Sequence, residues 1–430
     1  MAEKKKCKER EFTDNETKKL KKYLEEKISS YCDERNKEIT KNATEYIKFY
    51  DDKEKSKKEI KDFSWVLDAD KKVLKLGRNS KDVNSIKWGI PNMVIGNPES
   101  ADFYLCLLNP RVQDSETKAD NVEEYILKET GKKSKEEILG KENESANYFR
   151  NEYYFKKNEY KKHVDNYERK EVDDNQEIDD DHKDATPNVL SNEIENLLYI
   201  TKNEKGFDSF ELWYDDYAKD HESSKSKKKH EKKNNPFRRA YYLHKYYNFL
   251  YREQFDKINK NEERKPGDEL TVFNGLIENR DKLENLKICD LELFPYRTES
   301  KPSDTLFKKG NSYKDLKSSQ YVADLIIKRI LDYNKKEPIF VFRSYREWFK
   351  VIEYELAKGL GCIKDGGELT REEELELLKK YDTKLWPCFY GFSSVQSGSL
   401  SKNNVEKAPL IGVDIEEAKY NDIQKTFKLD

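Results

Sequence analysis

Four short apolar segments constrain the fold of this chain more than any other feature of its sequence. Each is rich in aromatic or β-branched residues and is bounded by turn formers, as buried strands of a parallel sheet tend to be. The segments are DFYLCLLN (102–109), KICDLELF (287–294), PIFVFRS (338–344) and WPCFYGFSS (386–394). Amphipathic helical patterns follow the second and third segments. Strands that alternate with helices favour right-handed crossovers, so we expect an α/β fold: a three-layer sandwich around a central, mainly parallel four-stranded sheet.

The rest of the chain divides into an N-terminal extension and a long insertion. Residues 1–89 are highly charged and are predicted to be largely helical. Residues 90–430 are predicted to form a single α/β domain, interrupted at about 113–286 by a charged helical insertion longer than an ordinary crossover. This insertion contains an acidic run (172–184) and a basic run (223–233), which we expect to be solvated loops.

Composition excludes several classes of protein. A net charge of -2 gives no overall attraction for nucleic acid, so any site for a polyanion must come from local clusters of basic residues. The six cysteines show no CxxC spacing, which favours reduced thiols and indicates neither a metal site nor a cofactor. No apolar run approaches the ~18–20 residues of a membrane span, and the N-terminus lacks a signal core. We therefore expect a cytoplasmic protein without membrane contact.

The first and last apolar segments both end in short polar loops. Ligands of open α/β sheets bind outside the carboxyl ends of the strands, so these loops are candidate walls of one site. The first segment ends in Asn109-Pro110, where the proline stops the strand and directs the asparagine into the crevice. The last segment leads into QSGSLS (396–401). An isolated Asn-Pro more often serves only to end a strand. The presence of the second polar loop favours a functional interpretation of Asn109-Pro110.

Together these motifs resemble those of the uracil-DNA glycosylase superfamily, and the chain is similar to a divergent, uncharacterised bacterial branch of it. The likeness covers residues ~90–112 and ~286–405 in outline, with the motifs in the same order. The superfamily's first motif, G-x-D/N-P, carries the Asp or Asn that positions the hydrolytic water. The resemblance therefore implies this role for Asn109, although Leu107 stands where the glycine is usual.

The last motif of the superfamily, H-P-S-P-L-S, is altered in this chain. QSGSLS retains Leu400 and Ser401 but has Gln396 where the family has a histidine that contacts the base carbonyl. Glutamine can donate a neutral hydrogen bond but cannot supply a cation. The resemblance implies base contacts for Gln396, Ser397 and Ser399, with a slower leaving-group step or none.

The second apolar segment carries the candidates for base selection. Glu292 would accept a hydrogen bond from an exocyclic amino group, the feature that distinguishes cytosine from uracil. Tyr296, just past the strand, is the other candidate. An equally plausible interpretation is that Glu292 points to solvent or pairs with an arginine. In addition, an alignment shifted by one residue would place the side chain on the other face of the sheet.

Several arginines are candidates for contact with DNA phosphates. The segment PFRRAYYLHKYYNFLYR (236–252) interleaves basic and aromatic residues, a pattern suited to phosphate contact and base stacking but equally common in amphipathic helices. The full set of candidates is Arg111, Arg238, Arg239, Arg297, Arg343 and Arg346.

Two functions are consistent with the sequence. The preferred one is a DNA glycosylase-like hydrolase that cleaves the N-glycosidic bond of an unusual or modified base, cytosine-derived as in phage or mobile-element DNA. Such a base must be flipped out of the duplex to be reached. The alternative is a non-catalytic protein on a glycosylase-like fold that binds nucleic acid, or binds a partner protein through the insertion, because a fold does not imply its usual chemistry. The strandedness of the DNA stays open.

Overall fold

The computed structural model describes part of the chain. The described residues are 13–51, 64–76, 91, 93–109, 188–199, 206, 212, 240–250, 274–277, 282–283, 285–296, 298, 302, 304–332, 337–363, 388–392, 400, 404–407, 423 and 427. The acidic run (172–184) and the basic run (223–233) lie outside these residues.

The described residues form an α/β fold built on one sheet. Its strands are β1 (Val94–Gly96), β2 (Phe103–Leu107), β3 (Ile288–Glu292), β4 (Ile339–Phe342), β5 (Phe389–Phe392) and β6 (Val405–Lys407). The order across the six-stranded sheet is β1-β3-β2-β4-β5-β6. The inner strands β3, β2, β4 and β5 are mutually parallel, and the edge strands β1 and β6 are antiparallel to their neighbours.

The four apolar segments therefore form the four adjacent parallel strands, as predicted from sequence. The sheet nevertheless has two more strands than the four expected. Each added edge strand is only three residues long. A segment of that length shows no periodicity from which a strand can be predicted.

Helices cover both faces of the sheet. They are α1 (Asp14–Asp51), α2 (Asp68–Lys71), α3 (Val189–Tyr199), α4 (Tyr241–Lys245), α5 (Lys317–Asp332) and α6 (Tyr345–Gly359). Short 3-10 turns occupy Asp304–Leu306 and Tyr313–Asp315. Helices α1, α5 and α6 contribute to one apolar core, together with the residues that flank α2, and α3 and α4 contribute to the other. Among the described helices, none combines the length and apolarity needed to cross a membrane.

Helix α1 belongs to the first of these cores. Thr13 and Glu16 form the capping box at its start, with the Glu16 carboxylate accepting from the Thr13 backbone N–H at 3.1 Å. Leu20 and Leu24 are fully buried in the same cluster as the sheet residues. A methyl group at Gly359 of α6 would overlap the Leu20 side chain, so the glycine permits the close approach of α1 and α6. The N-terminal helix thus packs against the sheet domain.

Candidate functional site

The candidate site lies at the carboxyl ends of β2, β3 and β4. Leu107 of β2 pairs with Glu292 of β3, and Cys106 pairs with Phe342 of β4. The backbone N–H of Arg343 donates to the Cys106 carbonyl at 2.8 Å, which continues the parallel register by one residue. Glu292 and Arg343 therefore stand on either side of Leu107, with their Cα atoms about 10 Å apart, two strand spacings.

Glu292 and Arg343 share one face of the sheet because side chains alternate along a strand. In β3, Cys289 and Leu291 belong to the core beneath α1, α5 and α6, and Ile288 belongs to the core beneath α3 and α4. Glu292 therefore points towards α3 and α4. Arg343 follows Phe342, which packs on the α5–α6 side, and so it also points towards α4.

Two tyrosines from the segment that begins with α4 contact these charged groups. The Tyr242 hydroxyl donates to Glu292 Oε1 at 2.9 Å. Arg343 Nη1 donates to the Tyr246 hydroxyl at 2.6 Å, and its guanidinium carbon lies 5.8 Å from the centroid of the Tyr246 ring. The two tyrosine rings are 6.1 Å apart, centroid to centroid. Glu292 is consequently buried, with a relative exposure of 1%.

Two more buried carboxyl groups lie on the same side of the sheet. Asp290 accepts from the Tyr247 hydroxyl at 2.5 Å, and its Oδ2 has no hydrogen-bond partner among the residues that the structure describes. Glu193 of α3 accepts from the backbone N–H groups of Tyr242 and Leu243 at 2.7 and 2.6 Å. Glu193 therefore fixes the start of α4 above the sheet.

Burial determines the protonation of this cluster. It raises the pKa of Asp290 to about 8, although the hydrogen bond from Tyr247 opposes the shift. Burial likewise raises the pKa of Glu193 to about 8; the two backbone N–H groups lower it and the neighbouring Asp290 raises it. Burial, followed by the nearby carboxylates Glu292 and Asp290, raises the pKa of Tyr242 well above its usual value. Tyr242 thus remains a hydrogen-bond donor at neutral pH.

The turn from β4 into α6 positions Arg343. Ser344 has φ 62° and ψ 46°, in the left-handed region that favours glycine, and no other described non-glycine residue has a positive φ. Trp348, one turn into α6, donates from Nε1 to the Leu107 carbonyl at 3.0 Å. The strained turn and this bond hold the start of α6 against the end of β2.

Asn109 lies at the same edge of the sheet, two residues beyond β2. Its Nδ2 donates to Thr298 Oγ1 at 2.8 Å, and Thr298 is fully buried. Because the amide nitrogen is held by Thr298, the amide oxygen points away from that contact. Asn109 is partly exposed at the carboxyl edge.

Tyr296 lies on the other side of the sheet and is not brought to Glu292. Its hydroxyl donates to Asp70 Oδ2 at 2.7 Å and accepts from the Leu67 backbone N–H at 3.2 Å. Tyr296 is fully buried and belongs to the core beneath α1, α5 and α6. Its contacts anchor α2 to the segment after β3.

The remaining candidates are only partly described. Arg346 is exposed in the first turn of α6. The candidates outside the described residues are Gln396, Ser397, Ser399, Arg111, Arg238, Arg239 and Arg297. One residue of the last motif is described: the Leu400 backbone N–H donates to the Tyr246 carbonyl at 3.0 Å. This bond brings the end of that motif to the segment that covers Arg343.

Sequence reasoning missed the carboxyl groups of Asp290 and Glu193. For Asp290 a signal was present, because an aspartate in an apolar strand two residues before Glu292 must share its face. Glu193 gave no such signal, since its partners are backbone N–H groups of a segment far along the chain.

Comparisons with known proteins add no identification. No family model, no curated protein and no solved structure matches this chain. Within the described part of the chain, no group of three or more His, Cys, Asp and Glu side chains is arranged to hold a metal ion. Any functional assignment therefore depends on the residues at the carboxyl edge.

Proposed function

We propose that this protein is a DNA glycosylase-like hydrolase, a divergent relative of the uracil-DNA glycosylase superfamily. Its proposed substrate is an unusual or modified base in DNA that is derived from cytosine. The observation that carries the proposal is that Asn109, Glu292 and Arg343 lie at the carboxyl ends of three adjacent parallel strands. Ligands of open α/β sheets bind at this edge.

In this proposal each residue has a distinct role. Asn109, held through its amide nitrogen by Thr298, orients the attacking water through its amide oxygen. Glu292 accepts a hydrogen bond from the exocyclic amino group of the base, and Arg343 contacts the substrate from the opposite side of Leu107. Gln396, Ser397 and Ser399 contact the base in the manner that the family resemblance implies. The base leaves the stack because its glycosidic carbon is unreachable in a duplex.

The alternative is a non-catalytic protein that binds nucleic acid or a partner protein, and two observations favour it. Glu292 is buried beneath Tyr242, so no base reaches it unless that side chain moves. The glutamine at position 396 also removes the charged contact to the leaving group. Both features are consistent with a glycosylase-like fold that has lost its chemistry.

Base release from DNA separates the two functions. The full-length protein is incubated with single- and double-stranded oligonucleotides that carry different modified bases, and alkali then reveals abasic sites. Asn109→Ala should abolish base release but change DNA affinity less than about twofold, because water positioning affects only the chemical step. Asn97→Ala is the matched control: Asn97 caps the turn between β1 and β2 through the Glu99 backbone N–H at 2.9 Å, far from the carboxyl edge.

DNA binding is measured separately. Charge reversal at Arg238 and Arg239 should weaken binding and reduce its salt slope by about one unit for each phosphate that is no longer neutralised. Base release by Asn109→Ala at the wild-type rate contradicts the role of Asn109. DNA binding by the wild-type protein, without release from any of the bases, supports the non-catalytic alternative.

A further inference from the structure

The hydroxyl groups of Tyr242 and Tyr246 meet the two charged groups of the candidate site in opposite ways. Tyr242 donates to Glu292 at 2.9 Å, and Tyr246 accepts from Arg343 at 2.6 Å. The protein therefore presents one acceptor, Glu292, and one donor, Arg343, on either side of Leu107. Each of them is hydrogen-bonded to a tyrosine hydroxyl. Whatever replaces the tyrosines must itself supply one donor and one acceptor, because unpaired buried polar groups are costly.

The surroundings of this donor–acceptor pair suit a flat aromatic ring. Leu107, between Glu292 and Arg343, is buried in an apolar cluster. The ring of Phe392 lies 6.4 Å from that of Tyr246, centroid to centroid. The Lys245 ammonium is 5.5 Å from the Tyr246 ring centroid, which adds a second cation beside Arg343. The site thus combines apolar surface, aromatic neighbours and positive charge at one end, as a nucleotide requires.

We propose that Glu292 and Arg343 form a binding site for a nucleobase with an exocyclic amino group, and that Tyr242 and Tyr246 occupy this site in the free protein. This inference rests on the proposed function, which it deepens by naming the chemistry that selects the base. The amino group takes the place of the Tyr242 hydroxyl at Glu292. A ring nitrogen or carbonyl oxygen of the base takes the place of the Tyr246 hydroxyl at Arg343.

Cytosine and uracil differ in the group that this site reads. Cytosine offers an amino donor at the position where uracil offers a carbonyl acceptor. A carbonyl facing the Glu292 carboxylate leaves two acceptors opposed with no hydrogen between them. The site therefore binds a cytosine-type base and rejects uracil.

The tyrosines and the ligand compete for the same hydrogen bonds. The apparent affinity for a ligand is reduced by the fraction of protein whose site is already filled. Phenylalanine at positions 242 and 246 keeps the rings but removes the competing hydroxyls. Because a hydrogen bond to a charged group is stronger than one between neutral groups, removal of each competitor should tighten ligand binding by about tenfold.

Calorimetric titration of the full-length protein with 2′-deoxycytidine 5′-monophosphate and 2′-deoxyuridine 5′-monophosphate tests this inference. Wild-type protein should prefer the cytosine nucleotide, and the Y242F/Y246F variant should bind it about a hundredfold more tightly than the wild type does, about tenfold for each hydroxyl removed. Y247F is the matched control, since it removes a buried hydroxyl of the same segment that bonds to Asp290 instead. Its affinity for the cytosine nucleotide should equal that of the wild type.

Two further variants keep the test decisive. Y242F alone leaves the contact between Arg343 and Tyr246 in place, so it serves if the double variant does not fold. Glu292→Gln should lose the preference for the cytosine nucleotide, because an amide can rotate to satisfy either base. Unchanged affinity in both phenylalanine variants, an equal gain for the uracil nucleotide, or no binding by any of the proteins overturns the inference.

The result of the nucleotide titration is independent of whether the protein releases bases from DNA. Nucleotide binding with the expected preference, but without abasic sites in DNA, supports the site and removes only the hydrolase. Base release without any effect of the tyrosines supports the hydrolase and removes this inference.

Discussion

The strongest test of how the N-terminal helix is attached is to remove the charge of Lys27. Its Nζ lies 2.9 Å from Asp324 Oδ2 of α5 and also contacts Glu355 Oε2 of α6. The two carboxylate side chains are 1% and 0% exposed, whereas Lys27 is 20% exposed. Two buried acids on the helices that α1 covers therefore share one cation from α1.

Lys27→Met keeps the length of the side chain but leaves two buried carboxyl groups without a cation. Removal of one partner of a buried ion pair typically costs about 3–5 kcal/mol. Part of this cost is avoided when a carboxyl takes up a proton. Burial, followed by the neighbouring Glu355, already raises the pKa of Asp324 well above its usual value, and Lys27 opposes that shift. Without Lys27 the pKa rises further.

The sign of the pH dependence follows from linkage. An acid whose pKa is higher in the folded state contributes stability at low pH, and loses that contribution as the pH rises. The deficit of Lys27→Met should therefore be about 3 kcal/mol at pH 8 and clearly smaller at pH 5.

Urea unfolding at pH 5 and pH 8, followed by the fluorescence of the buried Trp65 and Trp348, measures these differences. Lys22→Met is the control: Lys22 is 79% exposed and lies 3.8 Å from Glu26, so its loss should change the free energy of unfolding by less than about 0.5 kcal/mol. If Lys27→Met costs less than about 1 kcal/mol at pH 8, apolar packing alone holds α1 and the reasoning fails.

Two further predictions concern buried titratable groups. Burial raises the pKa of Asp290 to about 8, so its ionisation destabilises the folded state as the pH rises. The stability of Asp290→Asn relative to the wild type should therefore be greater at pH 8 than at pH 5, by about 1 kcal/mol or more. Urea unfolding at both pH values measures this, and an equal stability difference at the two pH values would contradict a raised pKa of Asp290. Brief alkylation of the native protein at pH 8, read by mass spectrometry, should label the exposed Cys362 but spare Cys106, Cys289 and Cys388, which are buried. Equal labelling of Cys289 and Cys362 would show that the sheet opens on that timescale.

The central sheet could be predicted from sequence because its strands carry strong local signals. The segments that became β2, β3, β4 and β5 are apolar, short and bounded by turn formers. The packing of α1 gave no comparable signal. Periodicity shows that a helix has an apolar face, but the partner of that face depends on long-range features such as the absent side chain at Gly359.

The placement of three candidate residues at one edge of the sheet was predictable to a similar, limited extent. Asn109, Glu292 and Arg343 each follow or end a strand, and parallel strands bring such residues to the same edge. Tyr296 shows where this reasoning stops. Alternation would place it on the face of Glu292, but β3 ends at Glu292 and the chain then bends, so Phe294 and Tyr296 both pack in the opposite core.

The contacts around α4 determine how the site can open. Glu193 holds the backbone N–H groups of Tyr242 and Leu243, Leu243 is buried, and the Tyr246 carbonyl accepts from Leu400. Displacement of the whole helix would break all of these backbone bonds and expose apolar surface. Rotation of the Tyr242 and Tyr246 side chains breaks the two hydroxyl contacts and the contacts of the Tyr246 ring with Phe392 and Arg343. A nucleobase can replace both hydroxyl contacts. Opening by side-chain rotation therefore keeps the backbone bonds of α4, and it leaves the backbone that frames Glu292 and Arg343 in place when the ligand arrives.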